Sequence, residues 1–418
     1  MRHPRTAATV VSVLAALVAG CGGSASTEPG GFTYESTLTV YSDLPLQGPQ
    51  GQLMTSINDG EILALEQAHA RGQDRNVSIA LLNDAGASGW STKTTSLAAR
   101  AASQDLGAIA YIGDFDSGAT AVSLPLINEN YILQVSPASP YVGFTDTSPV
   151  DQTGEPKRYY PSGPRTFARL MPSDAQEALA TTRFMKTLGV KRIYLLRDDA
   201  AISNPYDSVI APLVGSYAAL SAIAVAGSAQ IDTARLTTPG DYAKLAATIS
   251  ASGADAVLTG AAPDAGSQAL WQELAAKLPG VKLFAPSTLA SAPFLSSLGA
   301  AANATYVTSQ ILPLAQYPSS AQRVLVAYRH AFASPPTAYS LYGYEAMSSV
   351  LAAIQEAHRS TTNRRLDVVR DYFHLGLRDS VIGSYSIDAN GETSLSRFAG
   401  YRVGTAGQLI ELRLLSGG

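Results

Sequence analysis

The sequence predicts an α/β protein of two similar lobes, each a parallel sheet flanked by helices. Three observations carry that expectation. Short apolar runs alternate with longer helical patterns, which is the grammar of parallel β-α-β units. The grammar runs once, stops, and starts again. Between the two runs lies "TSPVDQTGEPKRYYPSGPR", residues 147–165, whose proline, glycine and charge mark a surface loop.

In the first run, strands are expected at 38–41, 77–82, 108–112 and 132–135. Helical periodicity covers 57–71, 91–104 and 119–130. In the second run, helices are expected at 174–188, 206–219, 241–252 and 265–277, with strands at 191–196, 223–231, 256–259 and 282–285. Two more helical patterns follow at 319–332 and 340–358. Near the end, Asn390-Gly391 in "SIDANGETS" predicts a hairpin with a type I′ turn, which needs positive φ at both central residues. "DANG" in the same stretch is too short for a calcium loop.

The amino terminus reads as an export signal over residues 1–20. Arg2 and Arg5 precede a short apolar run, and small residues follow it. "LVAGC" resembles the lipobox of bacterial lipoproteins, in which the cysteine carries a lipid. That places the lipid on Cys21, the single cysteine of the chain. Residues 21–33 are small and polar and read as a tether. Without residues 1–20 the chain carries 27 basic and 33 acidic residues, which argues against a nucleic-acid partner. With one cysteine there is no internal disulfide.

Catalytic and metal motifs are absent. The five histidines, His3, His69, His330, His358 and His374, do not pair at metal spacing, and no nucleophile elbow or phosphate loop occurs. Neither a metal nor a cofactor is expected. Asp114 and Asp116 in "YIGDFDSGAT" are a conceivable acid pair, but two residues apart in a loop near solvent they read as turn and cap residues. Ser117 stands just before a helical pattern, where an N-cap belongs. With the helix's free N–H groups it can also hold an anion, and Gly118 lets a ligand approach the backbone. The loop "VSPASP" leaves the next strand, so both loops lie at strand carboxyl ends, where open α/β sheets bind ligands.

Five segments in order carry a resemblance. They are "LPLQGPQG", "IGDFDSGATAVSLP", "VSPASPYVGFT", "FARLMPSDAQ" and "YGYEAM". Together they resemble the type I periplasmic binding proteins, in the branch of branched-chain amino acid receptors of ABC importers. The resemblance implies two Rossmann-like lobes with parallel sheets joined by a hinge. Lobe one would hold 34–168 and 312–382, and lobe two 169–311 and 383–418. It implies an extracytoplasmic lipoprotein on the cell membrane, a monomer that is not an enzyme and hands a small ligand to a separately encoded permease and ATPase. A sensing or assembly lipoprotein on the same fold, and less so an extracytoplasmic hydrolase, are the alternatives.

The resemblance puts the family's carboxylate-binding serine on Ser117 and its ligand-facing alanine on Ala138, beside Ser139. It puts the second lobe's aromatic on Tyr206, and the acid that pairs with the ammonium on Ser287. It also implies departures. The helper threonine falls on Pro140, and an aromatic falls on Ala261 or Ala262, leaving extra room. The ligand is then a carboxylate-bearing or amino-acid-like molecule and not an ordinary free α-amino acid held in the family's manner, with a bulkier or less charged carboxylate favoured, unless Asp116 or Asp264 reaches an ammonium from another side.

Overall fold

A computed structural model describes residues 37–86, 89–147, 153–200, 205–357 and 364–418. The expected signal peptide, the tether, the lipidation position Cys21 and His358 lie outside the described residues.

The first sheet has five strands: β1 (Leu38–Asp43), β2 (Val77–Leu82), β3 (Ala108–Ile112), β4 (Leu133–Ser136) and β5 (Phe167–Arg169). Their order is β2-β1-β3-β4-β5, and every pairing is parallel. The connecting helices are α1 (Gly51–Ala70), α2 (Thr92–Gln104) and α3 (Ser117–Glu129). Local chemistry sets α2's start: the Ser91 hydroxyl accepts from the Thr94 N–H, and Ser91 itself is extended. Helix α1 begins six residues before the expected 57, at Gly51. Its early turns bury Met54 and Ile57 against Leu44, so tertiary packing extends it beyond its clearest periodicity.

The chain then crosses into α4 (Asp174–Thr187), opened by a capping box between Ser173 and Gln176. Next come β6 (Arg192–Asp198), α5 (Ile210–Tyr217), β7 (Ala224–Ile231), α6 (Pro239–Ala251), β8 (Ala256–Gly260), α7 (Ala265–Lys277), β9 (Lys282–Ala285), α8 (Ala292–Ser297) and β10 (Thr305–Ser309). Helix α5 starts at Ile210, so Tyr206 lies in a turn before it and not in the helix expected from 206. Helices α9 (Ser319–Ala331), α10 (Ala338–Ala357) and α11 (Arg364–Phe373) follow, and α10 and α11 pack back on the first sheet.

The short strands β11 (Arg378–Ser380) and β12 (Gly383–Tyr385) pair with each other. Strands β13 (Arg397–Val403) and β14 (Leu409–Ser416) then join the second sheet, whose order is β14-β13-β10-β9-β8-β6-β7. Strands β6 to β10 pair in parallel, whereas β13 pairs antiparallel with β10 and β14 antiparallel with β13. The second sheet is therefore parallel with an antiparallel edge.

The turn at Asn390-Gly391 differs from expectation. Only Gly391 has positive φ, at 95°, so the turn is not type I′. The Asp388 carboxylate accepts from the N–H groups of Asn390 and Glu392, and the Gly391 N–H donates to the Asp388 carbonyl. That aspartate holds Asn390 in ordinary backbone conformation and leaves the left-handed position to the glycine.

Candidate functional site

Loops at the carboxyl ends of β3 and β4 come together because these strands are neighbours in the sheet. Helix α3 begins at Ser117 itself, so Asp116 and not Ser117 is its N-cap. The Asp116 side chain makes no capping bond to the helix. The Ser117 hydroxyl accepts instead from the Tyr141 N–H at 3.3 Å, tying the helix start to the loop after β4. Gly118 is needed for a different close approach from the one expected. A Cβ there would overlap the six-membered ring of Trp90, so the indole lies directly on the first turn of α3.

In the β4 loop, Ala138 and Ser139 are both buried. The Ala138 N–H donates to the Ser136 hydroxyl at 3.1 Å. The Ser139 hydroxyl bonds Thr120 and donates to the Asp114 carbonyl at 3.2 Å. Asp114 is not near solvent, as a turn residue would be. It is fully buried and accepts from Tyr111, at 2.9 Å, and from Ser123. Asp114 and Asp116 thus occupy separate environments and do not form an acid pair.

Across from these loops stand the carboxyl ends of the second sheet. Tyr206 follows β6 and is half-buried. Its ring meets Tyr141 edge-on, at 4.9 Å between centroids, and stacks on Phe144 at 6.5 Å. Such ring pairs add to plain area burial, so Tyr206 is part of the packing as well as of the wall. Ser287 follows β9. Its N–H and hydroxyl both donate to Glu177 of α4, at 2.7 and 2.6 Å, and Gln310 donates to the same carboxylate at 2.7 Å. Ser287 therefore holds an acid that reaches it from another element. Ala261 and Ala262 are buried, and the room expected beside them is filled by protein.

The electrostatics are one-sided. Burial, then the nearby charge of Asp207 and of Asp84, pushes Asp116 up to about 8. Burial, with Asp198 and Asp264, pushes Asp207 up to about 7. Glu177 is pushed up to about 7 by burial, although its bonds from Ser287 and Gln310 pull the other way. Burial and Glu177 raise Asp174 well above the carboxylate range, against the pull of Arg169. Neither the Asp116 nor the Asp207 side chain has a hydrogen bond or ion pair among the described residues. Tyr339 of α10 packs on Phe115 at 5.5 Å and feels Glu177 and Asp116. Asp116 and Asp207 lie in loops of the two different sheets, and the charge of Asp207 is one cause of the raised pKa of Asp116.

A family model described as "Periplasmic binding protein" matches residues 44–407. The chain belongs to this family. It is a solute-binding protein and not an enzyme, and its fold is that of the type I periplasmic binding proteins. No curated protein sequence matches it. Among solved structures it is similar to an ABC transporter substrate-binding protein from Desulfitobacterium hafniense, at 18% identity, 90% of this chain, 99% of that one and a TM-score of 0.71. It is also similar to the leucine-binding protein LivK from Thermotoga maritima, at 17% identity, 91% of this chain, 99% of that one and a TM-score of 0.70. A third is an R. palustris solute-binding protein in complex with 4-hydroxybenzoate, at 14% identity, 91% of this chain, 97% of that one and a TM-score of 0.69. At these identities the likeness shows the fold alone.

Four residues that contact or lie beside the predicted positions were not singled out in the sequence: Trp90 on Gly118, Glu177 on Ser287, Asp207 next to Tyr206, and Tyr339 on Phe115. Asp207 adjoins Tyr206 and was legible as a neighbour. Glu177 reads as an ordinary acid in the first turn of a helix, and only its burial marks it out.

Proposed function

We propose that this protein is the solute receptor of an ABC importer, and that it holds a small ligand bearing both an amine and an acid group. The ligand sits between the two sheets and the lobes close on it by a hinge. The observation that carries this reading is the unpaired couple Asp116 and Asp207 beside the start of α3. The α3 N-terminus with Ser117 suits a carboxylate. The two acids suit an ammonium a few ångströms away. The relatives' printed ligands include leucine, isoleucine and 4-hydroxybenzoate. The acidic couple favours the amino-acid kind, held by acids other than one at Ser287. The ligand positions in this reading are Asp116, Ser117, Ala138, Tyr206 and Asp207. Gly118 and Ser139 shape the walls, and Ser287 orients Glu177.

Calorimetry with leucine, isoleucine, valine and 4-hydroxybenzoate tests the reading. An amine-bearing ligand is expected to bind, and Asp207→Asn to weaken it roughly ten- to a hundredfold, the effect of losing a hydrogen bond to a charge. An ammonium lowers the raised pKa values of both acids, so binding releases protons and tightens as pH rises through about 7 to 8. Binding of 4-hydroxybenzoate with none of the amines would overturn the reading.

Lobe one is proposed as 34–168 with 312–382, and lobe two as 169–311 with 383–418. Sheet membership supports the main division, since β1 to β4 fall in the first range and β6 to β10, β13 and β14 in the second, while the bounds cut β5 and divide the β11–β12 pair. The proposed anchor is a lipid on Cys21 that holds the receptor at the outer face of the membrane. No helix among the described residues is long and apolar enough to cross a membrane. Cys21→Ser is expected to move the protein from the membrane fraction to the soluble one with its melting temperature unchanged. Retention in the membrane fraction after signal cleavage would exclude the lipid anchor.

A further inference from the structure

Three neighbouring strands of the first sheet end in the same chemistry. Asp43 closes β1, Asp84 comes two residues after β2, and Asp114 two residues after β3. The strand order β2-β1-β3 brings these three carboxylates together, with oxygens within 4.8 Å of one another. All three residues are fully buried.

Their donors are too few. Thr95 donates to Asp84 Oδ2 at 3.2 Å. Ser123 donates to Asp114 Oδ2, and the Gln134 amide reaches the same oxygen at 3.4 Å. The Tyr111 hydroxyl lies 2.8 Å from Asp43 Oδ2 and 2.9 Å from Asp114 Oδ1, but its single proton serves only one of them. Asp43 Oδ1 and Asp84 Oδ1 have no hydrogen-bond partner among the described residues. Among the described residues, no lysine, arginine or histidine pairs with any of the three.

Buried carboxylate oxygens without donors are costly, and a cation that takes oxygen ligands alone would satisfy all three at once. We propose that Asp43, Asp84 and Asp114 bind a calcium ion that braces the loops beneath the ligand cleft. Calcium takes oxygen ligands at about 2.3–2.6 Å, so oxygens sharing one ion lie at most about 5 Å apart. Magnesium sheds its water reluctantly and keeps several waters when bound, which suits three fully buried carboxylates less well. All the ligand oxygens lie within 4.8 Å of one another, inside the calcium limit. The ion would act on the cleft through the main chain. Asp84's carbonyl accepts from the Ser91 N–H at 2.9 Å, next to Trp90, and Asp114 stands two residues before Asp116. No sequence motif announces the site, because its three ligands come from three separate strand ends.

The test uses the whole chain stripped with a chelator and then titrated with calcium chloride or magnesium chloride alone. One calcium per chain is expected, with a melting temperature several degrees higher and a weaker response to magnesium. Asp84→Asn and Asp43→Asn are each expected to lower calcium affinity at least tenfold. Stripped protein that neither binds calcium nor shifts its melting temperature would overturn the proposal. Calcium binding unchanged in both variants would also overturn it. Terbium needs no variant: emission excited through tyrosine and displaced by calcium is expected, because Tyr111 touches two of the ligands. Absence of that emission would count against the site even if neither variant folds.

Discussion

Arg169→Ala is expected to destabilise the protein by about 3–5 kcal/mol, the cost of breaking a buried charge network from one side. Arg169 ends β5 and is fully buried. One guanidinium nitrogen donates to the carbonyls of Ser139 and Tyr141, at 2.8 and 2.9 Å. The other donates to the Thr145 hydroxyl at 2.6 Å and pairs with Glu392 at 3.1 Å. Thr145 in turn bonds Glu392. The planar fork therefore fastens the loop after β4, a cleft wall, to the turn before β13. Alanine leaves two buried carbonyls without that donor and Glu392 without its charge partner. Arg169→Lys is expected to recover only part of the loss, because an ammonium cannot reproduce the fork. Urea denaturation measures both. A loss below about 1 kcal/mol for the alanine variant would mean that water or neighbouring groups replace the arginine.

The second large effect is a pH dependence centred on Glu61. This residue lies on α1, fully buried, and neither carboxylate oxygen has a donor. The nearby Ser42 hydroxyl gives its proton to Asn58 at 3.0 Å. Burial pushes Glu61 from its ordinary 4.5 up to about 8, with Ser42 offsetting only a little. A raised carboxylate pKa means that the folded state keeps a proton the unfolded chain loses. The contribution of Glu61 to stability is full below about pH 4.5 and falls as pH rises toward about 8, by an amount on the order of 4–5 kcal/mol. Glu61→Gln has no proton to lose and is expected to flatten that fall. Asp207 and Glu177 are raised in the same direction and keep a residual slope in the variant. Chemical denaturation from about pH 5 to about pH 9 reads the difference. Equal slopes in wild type and variant would show that Glu61 contributes nothing to it.

The neighbourhood of Asp116 shows where reading the sequence stops. The strand at 108–112 and the turn after it were legible, because an apolar run ending in glycine is a local signal. A helix beginning close to Ser117 was legible too. Whether Ser117 would cap that helix or begin it was not. The outcome depends on Tyr141, whose N–H takes the serine hydroxyl from 24 residues further on. Trp90 on Gly118 is the same kind of event, a contact made only once β2 and β3 flank β1 in one sheet.

The carboxyl-terminal strands make the point from the other direction. β13 and β14 alternate residue types plausibly enough, yet β13 finds its partner in β10, with Val307 opposite Tyr401. Nothing near either strand in the chain specifies that pairing, so the antiparallel edge of the second sheet stayed unread.

By itself, then, the sequence determined the alternation of strands and helices and the division into two runs. Periodicity and turn chemistry act between residues a few positions apart, and that is the range over which those features are written. Tertiary structure alone decided which acids would face each other. Asp116 and Asp207 come from different sheets, Glu177 reaches Ser287 from another helix, and Asp43, Asp84 and Asp114 meet only when three strands lie side by side. Their raised pKa values follow from burial, and burial belongs to the packed molecule: the same carboxylates in an unfolded chain are hydrated and ordinary.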